Sequence, residues 1–281
     1  MNIQNAINEA RKLLKNKDIK SFDLDSEILM CEVIQQDRKY IALNLKKTLN
    51  RDAVRYYKDL IDKRLRKIPI AYLVGRKYFW KFEFKVDHNV LIPRPDSELI
   101  VEQVLKLSRN KSKLQILEIG VGSGCIILSI LKEKKDFYGT GIDISRKCIK
   151  MSGENTLNLN LKNRLKLIKS DVDNFKIGKY DIIISNPPYI KKLDLKYLEK
   201  DVIGFEPKLA LDGGIDGLSE IRKVVFKSSE LIKKNGKLIL EIAFDQKKEV
   251  EKILIKNGFY INKVLKDLAK NDRCIISTKI K

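Results

Sequence analysis

From Gln115 onward, short apolar runs alternate with helix-length segments: "QILEIG", "FYGTGID", "LKLIKSD", "YDIIIS" and "GKLILEIA". Runs this short and this rich in Ile and Leu read as buried strands. Their alternation with helices implies an α/β fold, a parallel sheet covered on both faces. The last two segments, "FYINKVLKDL" and "DRCIISTKI", have no helix-length stretch between them. They predict a terminal antiparallel pair, which makes the sheet mixed but mainly parallel. Ligands of such sheets bind in the crevice at the carboxyl ends of the strands.

Those strand ends carry the informative residues. After the first strand, Gly120, Gly122 and Gly124 form G-x-G-x-G with Val121 and Ser123 between them. Glycines there let the backbone approach a ligand and open a helix N-terminus. Asp143 ends the second strand, where a carboxylate accepts hydrogen bonds from both hydroxyls of a ribose. Asp171 and Val172 end the third, where an adenine would lie; Asp171 is a candidate acceptor for its amino group and Val172 a packing surface. Glu118, just before the glycines, is a candidate acceptor near a methionine moiety. The arrangement serves NAD and S-adenosylmethionine alike. The third glycine of G-x-G-x-x-G is missing, however, and the fourth strand ends in Asn186-Pro187-Pro188-Tyr189, which has no role in hydride transfer. S-adenosylmethionine is therefore the expected cofactor, with Asn186 facing the methyl donor.

Proline has no N–H and fixes its own φ, so two in succession end a core strand in a rigid turn. Such a turn suits an acceptor nitrogen in a planar amino group, as in a glutamine amide or an adenine. The lone pair of that nitrogen is delocalised. Holding its two hydrogens favours a pyramidal nitrogen aimed at the methyl group. The Asn186 side-chain oxygen and the Pro187 carbonyl are the expected acceptors, Pro187 and Pro188 fix the turn, and Tyr189 is expected to pack on the planar group. No general base and no metal are required.

Upstream, the first ~70 residues show helical periods. Ile3, Ile7, Ala10 and Leu14 share one face; Ser21 or Asp23 is expected to cap a second helix with Leu24, Ile28 and Cys31 inward; a third runs from about Asp52 to a stop at Pro69. In "YFWKFEFKVDHNV" the period becomes two, with Trp80, Phe82, Phe84 and Val86 on one face and a turn at Asp87-His88-Asn89. This predicts a β-hairpin between two domains. Asp96 or Ser97 in "LIPRPDSE" is expected to cap the next helix. The expected boundaries are 1–75 for a helical recognition domain, 76–93 for the hairpin linker and 94–281 for the catalytic domain.

Composition excludes several classes. Four scattered cysteines without a C-x-x-C pair argue against a disulfide frame or zinc site, and the single histidine, His88, leaves no basis for a Ser-His-Asp triad. No apolar run approaches the ~20 residues of a membrane span, and the N-terminus lacks the apolar core of a signal peptide. A cytoplasmic protein is expected. The formal net charge of +21 raises a nucleic-acid partner. The excess is mostly lysine spread along the chain, with Ile and Asn abundant too, which favours compositional drift.

The segments "IPIAYLVGRKYFWKFEFKV", "VLIPRPDSE", "LEIGVGSG", "SNPPYI", "FEPKLALDGGIDGL" and "KDLAKNDR" together resemble the bacterial peptide chain release factor N5-glutamine methyltransferases over nearly the full length. The resemblance implies a Rossmann-like S-adenosylmethionine-dependent methyltransferase fold with a small N-terminal helical domain and a β-hairpin linker. It implies methylation of the glutamine in the Gly-Gly-Gln motif of class-1 release factors. Gly120 to Gly124, Asp143 and Asp171-Val172 match its donor-binding positions, and Asn186 to Tyr189 its glutamine site. Val172 stands where the family often has an aromatic residue, and Ala243 and Lys270 replace usual glycines. A monomer that needs no nucleic acid is expected. Two other readings compete: a nucleic-acid amino-methyltransferase acting on adenine or guanine, and a non-enzymatic basic RNA- or ribosome-binding protein on an inherited fold. A base-modifying enzyme needs an element to receive a flipped base; the N-terminal helices show neither a series of stacking aromatics nor a basic cluster above background.

Overall fold

The structure, a computed structural model, describes residues 1–280. The chain divides into two compact units, Met1–Arg76 with Glu199–Phe205, and Lys77–Leu198 with the chain from Glu206 onward.

The first unit is helical: α1 (Ile3–Lys15), α2 (Phe22–Ile34), α3 (Arg38–Leu43), α4 (Arg51–Leu65), α5 (Ile70–Val74) and, numbered by its later place in the chain, α9 (Lys200–Phe205). α1 buries Ile3, Ile7, Ala10 and Leu14 as its period predicts. The side-chain oxygens of Asn2, Asp37 and Asn50 accept from backbone N–H groups three residues on and cap α1, α3 and α4. α2 departs from expectation. Ser21 precedes it but donates to Asp25 Oδ2 instead of capping it. Its buried face is Asp25, Ser26, Leu29 and Met30; Leu24 is exposed, and Ile28 and Cys31 are only half-buried. The cause is Arg64 on α4, whose Nε donates to Asp25 Oδ2 at 2.7 Å inside the bundle. A buried guanidinium needs a buried counter-charge, so α2 turns Asp25 inward.

The second unit opens at Lys77, within the hairpin formed by β1 (Arg76–Phe79) and β2 (Phe82–Lys85). A turn does form at the expected Asp87-His88-Asn89, where the Val90 N–H donates to the Asp87 carbonyl at 3.1 Å, but the hairpin's own turn lies earlier, at Trp80-Lys81, with Trp80 at φ +56°. The turn breaks the apparent alternation. Phe79 and Phe84 enter the core as an edge-to-face pair with centroids 6.2 Å apart, while Trp80 and Phe82 pack at its margin. Next come α6 (Glu98–Leu107), β3 (Gln115–Ile119), α7 (Cys125–Glu133), β4 (Tyr138–Asp143), α8 (Arg146–Asn158), β5 (Leu165–Lys169) and β6 (Tyr180–Ser185). The chain closes with α10 (Ser219–Leu231), β7 (Ile232–Glu241), α11 (Lys247–Lys256), β8 (Phe259–Lys266) and β9 (Asp272–Lys279).

The seven strands follow the order β5-β4-β3-β6-β7-β9-β8. The first five are parallel; β9 pairs antiparallel with both β7 and β8, so the sheet is mixed as the sequence predicts. Alternate residues divide between two cores. Ile182 and Ile184 of β6 join the cluster that includes α6, α7 and the hairpin, and Ile183 joins the one beneath α10 and α11. Strand order reverses between β3 and β6, which makes the crevice there the expected ligand site.

Candidate active site

β3 and β6 pair in parallel up to Ile119 and Ser185, so Gly120 and Asn186 leave the sheet side by side. A cleft opens above them. Of the residues singled out in the sequence, Gly120, Gly122, Asp143, Val172, Asn186, Pro187 and Pro188 line it; Glu118, Val121, Ser123, Gly124, Asp171 and Tyr189 do not.

On one side is the glycine turn. Gly120 and Gly122 have φ of +78° and +53°, and a Cβ on either would meet nothing within 4 Å. The backbone there is bare toward the cleft, which is what close approach of a ligand requires. Gly124 serves packing instead: a Cβ on it would lie 2.9 Å from Leu128 Cδ1. Val121 is buried beside Gly141 of β4, and the buried Ser123 offers its carbonyl to Asn155 Nδ2. Glu118 is also buried; its Oε2 accepts the Ile127 N–H of α7 at 3.1 Å, and burial raises its pKa well above the ordinary carboxylate range.

Asp143, at the end of β4, accepts the Gly122 N–H on Oδ2 at 3.0 Å and the Ser145 N–H on Oδ1 at 2.8 Å. Burial raises its pKa, and these two bonds oppose the rise. Each oxygen has a second lone pair, so the carboxylate fits a vicinal diol. Asp171 closes its own turn, its Oδ1 accepting the Asp173 N–H at 3.0 Å; its neighbours Ser170 and Val172 line the cleft.

On the other side is the Asn-Pro-Pro-Tyr turn. Asn186 Nδ2 donates to Ser97 Oγ at 2.9 Å, and Ser97 Oγ donates to Glu241 Oε2 at 2.5 Å. Ser97 therefore does not cap α6, as its position suggested, but joins the site. The Tyr189 hydroxyl donates to the other oxygen, Glu241 Oε1, at 3.1 Å. Glu241 ends β7 and is buried; burial pushes its pKa up to about 7 against the pull of Ser97, Tyr189 and Arg273. Among the described residues, no protein donor is bonded to Asn186 Oδ1 or to the Pro187 carbonyl.

The turn is backed by "LDGGIDG". Ile190 bridges to Asp212, and the Gly213 N–H donates to the Ile190 carbonyl at 2.9 Å. Gln246 Nε2 donates to the Tyr189 and Gly217 carbonyls at 2.9 and 3.0 Å. Ser97, Glu241 and Gln246 were missed as site residues. Glu241 had a readable signal, a carboxylate at the carboxyl end of a core strand. Ser97 was hidden by its helix-start context, and Gln246 had no signal.

Among the described residues, no group of three or more His, Cys, Asp or Glu could hold a metal ion, and no helix is long and apolar enough to cross a membrane. The fold is shared with solved methyltransferases. A methyltransferase from Pyrococcus furiosus aligns with a TM-score of 0.54 at 19% identity, over 70% of this chain and 89% of that one. A ribosomal protein L11 methylase from Lactobacillus delbrueckii subsp. bulgaricus aligns with 0.51 at 15% identity, over 73% and 91%. The chain thus has the Rossmann-like fold of those methyltransferases. Residues 5–75 match the PrmC N-terminal domain and residues 95–203 the methyltransferase small domain. A release factor glutamine methyltransferase of Clostridium acetobutylicum is 35% identical over 99% of both chains, and one of Caulobacter vibrioides is 34% identical over 96% of this chain and 94% of its own. The chain belongs to the release factor glutamine methyltransferase family.

Proposed function

We propose that this protein methylates the side-chain amide nitrogen (N5) of the glutamine in the Gly-Gly-Gln motif of class-1 release factors, with S-adenosylmethionine as donor. The observation that carries the reading is a pair of acceptors to which no described residue donates, Asn186 Oδ1 and the Pro187 carbonyl, beside a cleft that ends in a bare glycine turn and the Asp143 carboxylate. S-adenosylmethionine supplies an electrophilic methyl group on a sulfonium. Asp143 would hold the ribose hydroxyls, and the bare backbone at Gly120 and Gly122 would let the donor lie close. Asn186 and Pro187 take one N–H each of the substrate amide and turn its lone pair toward the methyl group. Pro187 and Pro188 keep that geometry without competing N–H donors. With the donor bound, the nitrogen would take the methyl group, the sulfonium would leave as a neutral thioether, and the methylated amide would release one proton to solvent. Catalysis rests on positioning and directed hydrogen bonds. The helical unit supplies the contact area that short catalytic loops lack for a protein partner.

The relatives' names favour a protein acceptor over a nucleobase. The test is incubation with labelled S-adenosylmethionine and, separately, release factor and RNA, followed by mass spectrometry of the Gly-Gly-Gln peptide. Methyl on the glutamine amide is expected. Label on RNA, with none on release factor, would replace this reading with the nucleic-acid one.

A further inference from the structure

We propose that Ser97 is a positioning residue for methyl transfer: it fixes which end of the Asn186 amide faces the substrate. The inference rests on Asn186 acting as an acceptor for the substrate amide. An asparagine amide has a donor end and an acceptor end of nearly equal shape, so packing alone discriminates poorly between its two orientations. Hydrogen-bond accounting does discriminate. A carboxylate only accepts. Glu241 receives the Ser97 hydroxyl on Oε2 and the Tyr189 hydroxyl on Oε1. The single proton of Ser97 is thereby committed, and its oxygen can only accept from Asn186. The NH₂ end satisfies it at 2.9 Å. The flipped amide would set two oxygens against each other at that distance, with no proton between them. Ser97 and Glu241 are 3% and 1% exposed, which leaves water little access to relieve such a clash.

Asn186 Oδ1 is thus held toward the cleft by a residue that does not itself line it. Without Ser97 the amide is free to turn, and each turned molecule presents a donor to a substrate N–H. The loss falls on the transfer step and leaves the donor side of the cleft intact.

The test compares Ser97→Ala, Ser97→Thr and Ser97→Val in the full-length protein at pH 8, where Glu241 is mostly ionised. Thr and Val have nearly the same volume and differ in the hydroxyl. Single-turnover methylation of release factor is measured with the dissociation constant for S-adenosylhomocysteine. Ser97→Ala and Ser97→Val are expected to slow transfer about 10-fold or more with donor affinity unchanged, and Ser97→Thr to recover most of the rate. Equal rates for Thr and Val overturn the proposal. Should both branched variants misfold, Ser97→Ala decides alone, and a wild-type rate overturns it. A wild-type protein that does not methylate release factor refutes the functional reading instead. The Ser97 comparison is then made on whichever acceptor it does methylate.

Discussion

Replacing Gly213 by Ala tests whether the Asn-Pro-Pro-Tyr turn works through position. An added Cβ would lie 2.7 Å from the Gly217 carbonyl oxygen, 2.8 Å from Tyr189 Cα and 2.9 Å from the Pro188 carbonyl oxygen. All three are backbone atoms, so no side chain can swing away. Restoring ordinary contact at 3.4 Å requires movements of about 0.5–0.7 Å, and Pro188-Tyr189 is the part of the site that must take them up. Overpacking of this kind costs about 1–3 kcal/mol of stability. A 1 Å error at a reacting centre costs up to about 100-fold in rate, so a shift of half that size is expected to cost about 10-fold. Gly120→Ala is the contrasting control. Its Cβ meets nothing within 4 Å, but its φ of +78° makes alanine strained there by about 1–2 kcal/mol, and its methyl projects where the donor is proposed to lie. Urea denaturation, calorimetry with S-adenosylmethionine and single-turnover methylation separate the two. Gly213→Ala should keep donor affinity and lose rate; Gly120→Ala should lose donor affinity. A Gly213→Ala protein with wild-type rate and stability would show that the turn's position is not controlled from behind.

Asp143→Ala should weaken S-adenosylmethionine binding by about 1.5–3 kcal/mol, because hydrogen bonds to a charged acceptor are lost; an unchanged dissociation constant in calorimetry removes Asp143 from the donor site. Glu241 holds its proton more tightly folded than unfolded, so the stability it contributes is complete below pH 4.5 and is lost as pH rises through about 7, an effect of about 3 kcal/mol. Glu241→Gln should flatten that decline in thermal unfolding followed from pH 4.5 to 8, and an unaltered slope would mean that Glu241 ionises as freely as in solution. Asp25→Ala should destabilise the helical unit by about 3–5 kcal/mol, since among the described residues it leaves Arg64 buried with only Asp201, 3.7 Å away, as counter-charge; urea unfolding followed by far-UV circular dichroism checks it, and a loss under 1 kcal/mol contradicts the pairing.

What could be read from the sequence was local. The parallel strands show as apolar runs because both faces of each are covered. The glycine turn is legible because positive φ at Gly120 and Gly122 has a residue signature, and Asp143 because it follows its strand directly. α1 follows its period because its partners are apolar. Where a distant polar group intrudes, local pattern misleads. Arg64 turns α2 onto Asp25, and the alternation through "YFWKFEFKV" conceals a turn at Trp80-Lys81, since Trp80 adopts a conformation that aromatic residues rarely take. α3 and α9 span six residues each, and α5 five, too short to show a period.

The same distinction runs through the candidate site, in the halves proposed for donor and acceptor. Its donor half is built from residues next to their own strands, so motif and geometry coincide. Its acceptor half is assembled over long separations: Ser97 lies 89 residues from Asn186 and 144 from Glu241. Asn186 announces an amide in the cleft, but not which end of that amide faces in. That depends on a proton committed between a serine ahead of α6 and a glutamate closing β7. A hydrogen-bond donor and acceptor of the same shape have no difference in hydrophobic period, so no pattern of apolar residues encodes the choice. Tyr189 shows the same limit. Its ring was expected on the substrate amide, yet its hydroxyl is tied to Glu241 and its carbonyl to Gln246, and it does not line the cleft. The residue is held at both ends, and the role proposed for it is to fix the position of Asn186 and Pro187.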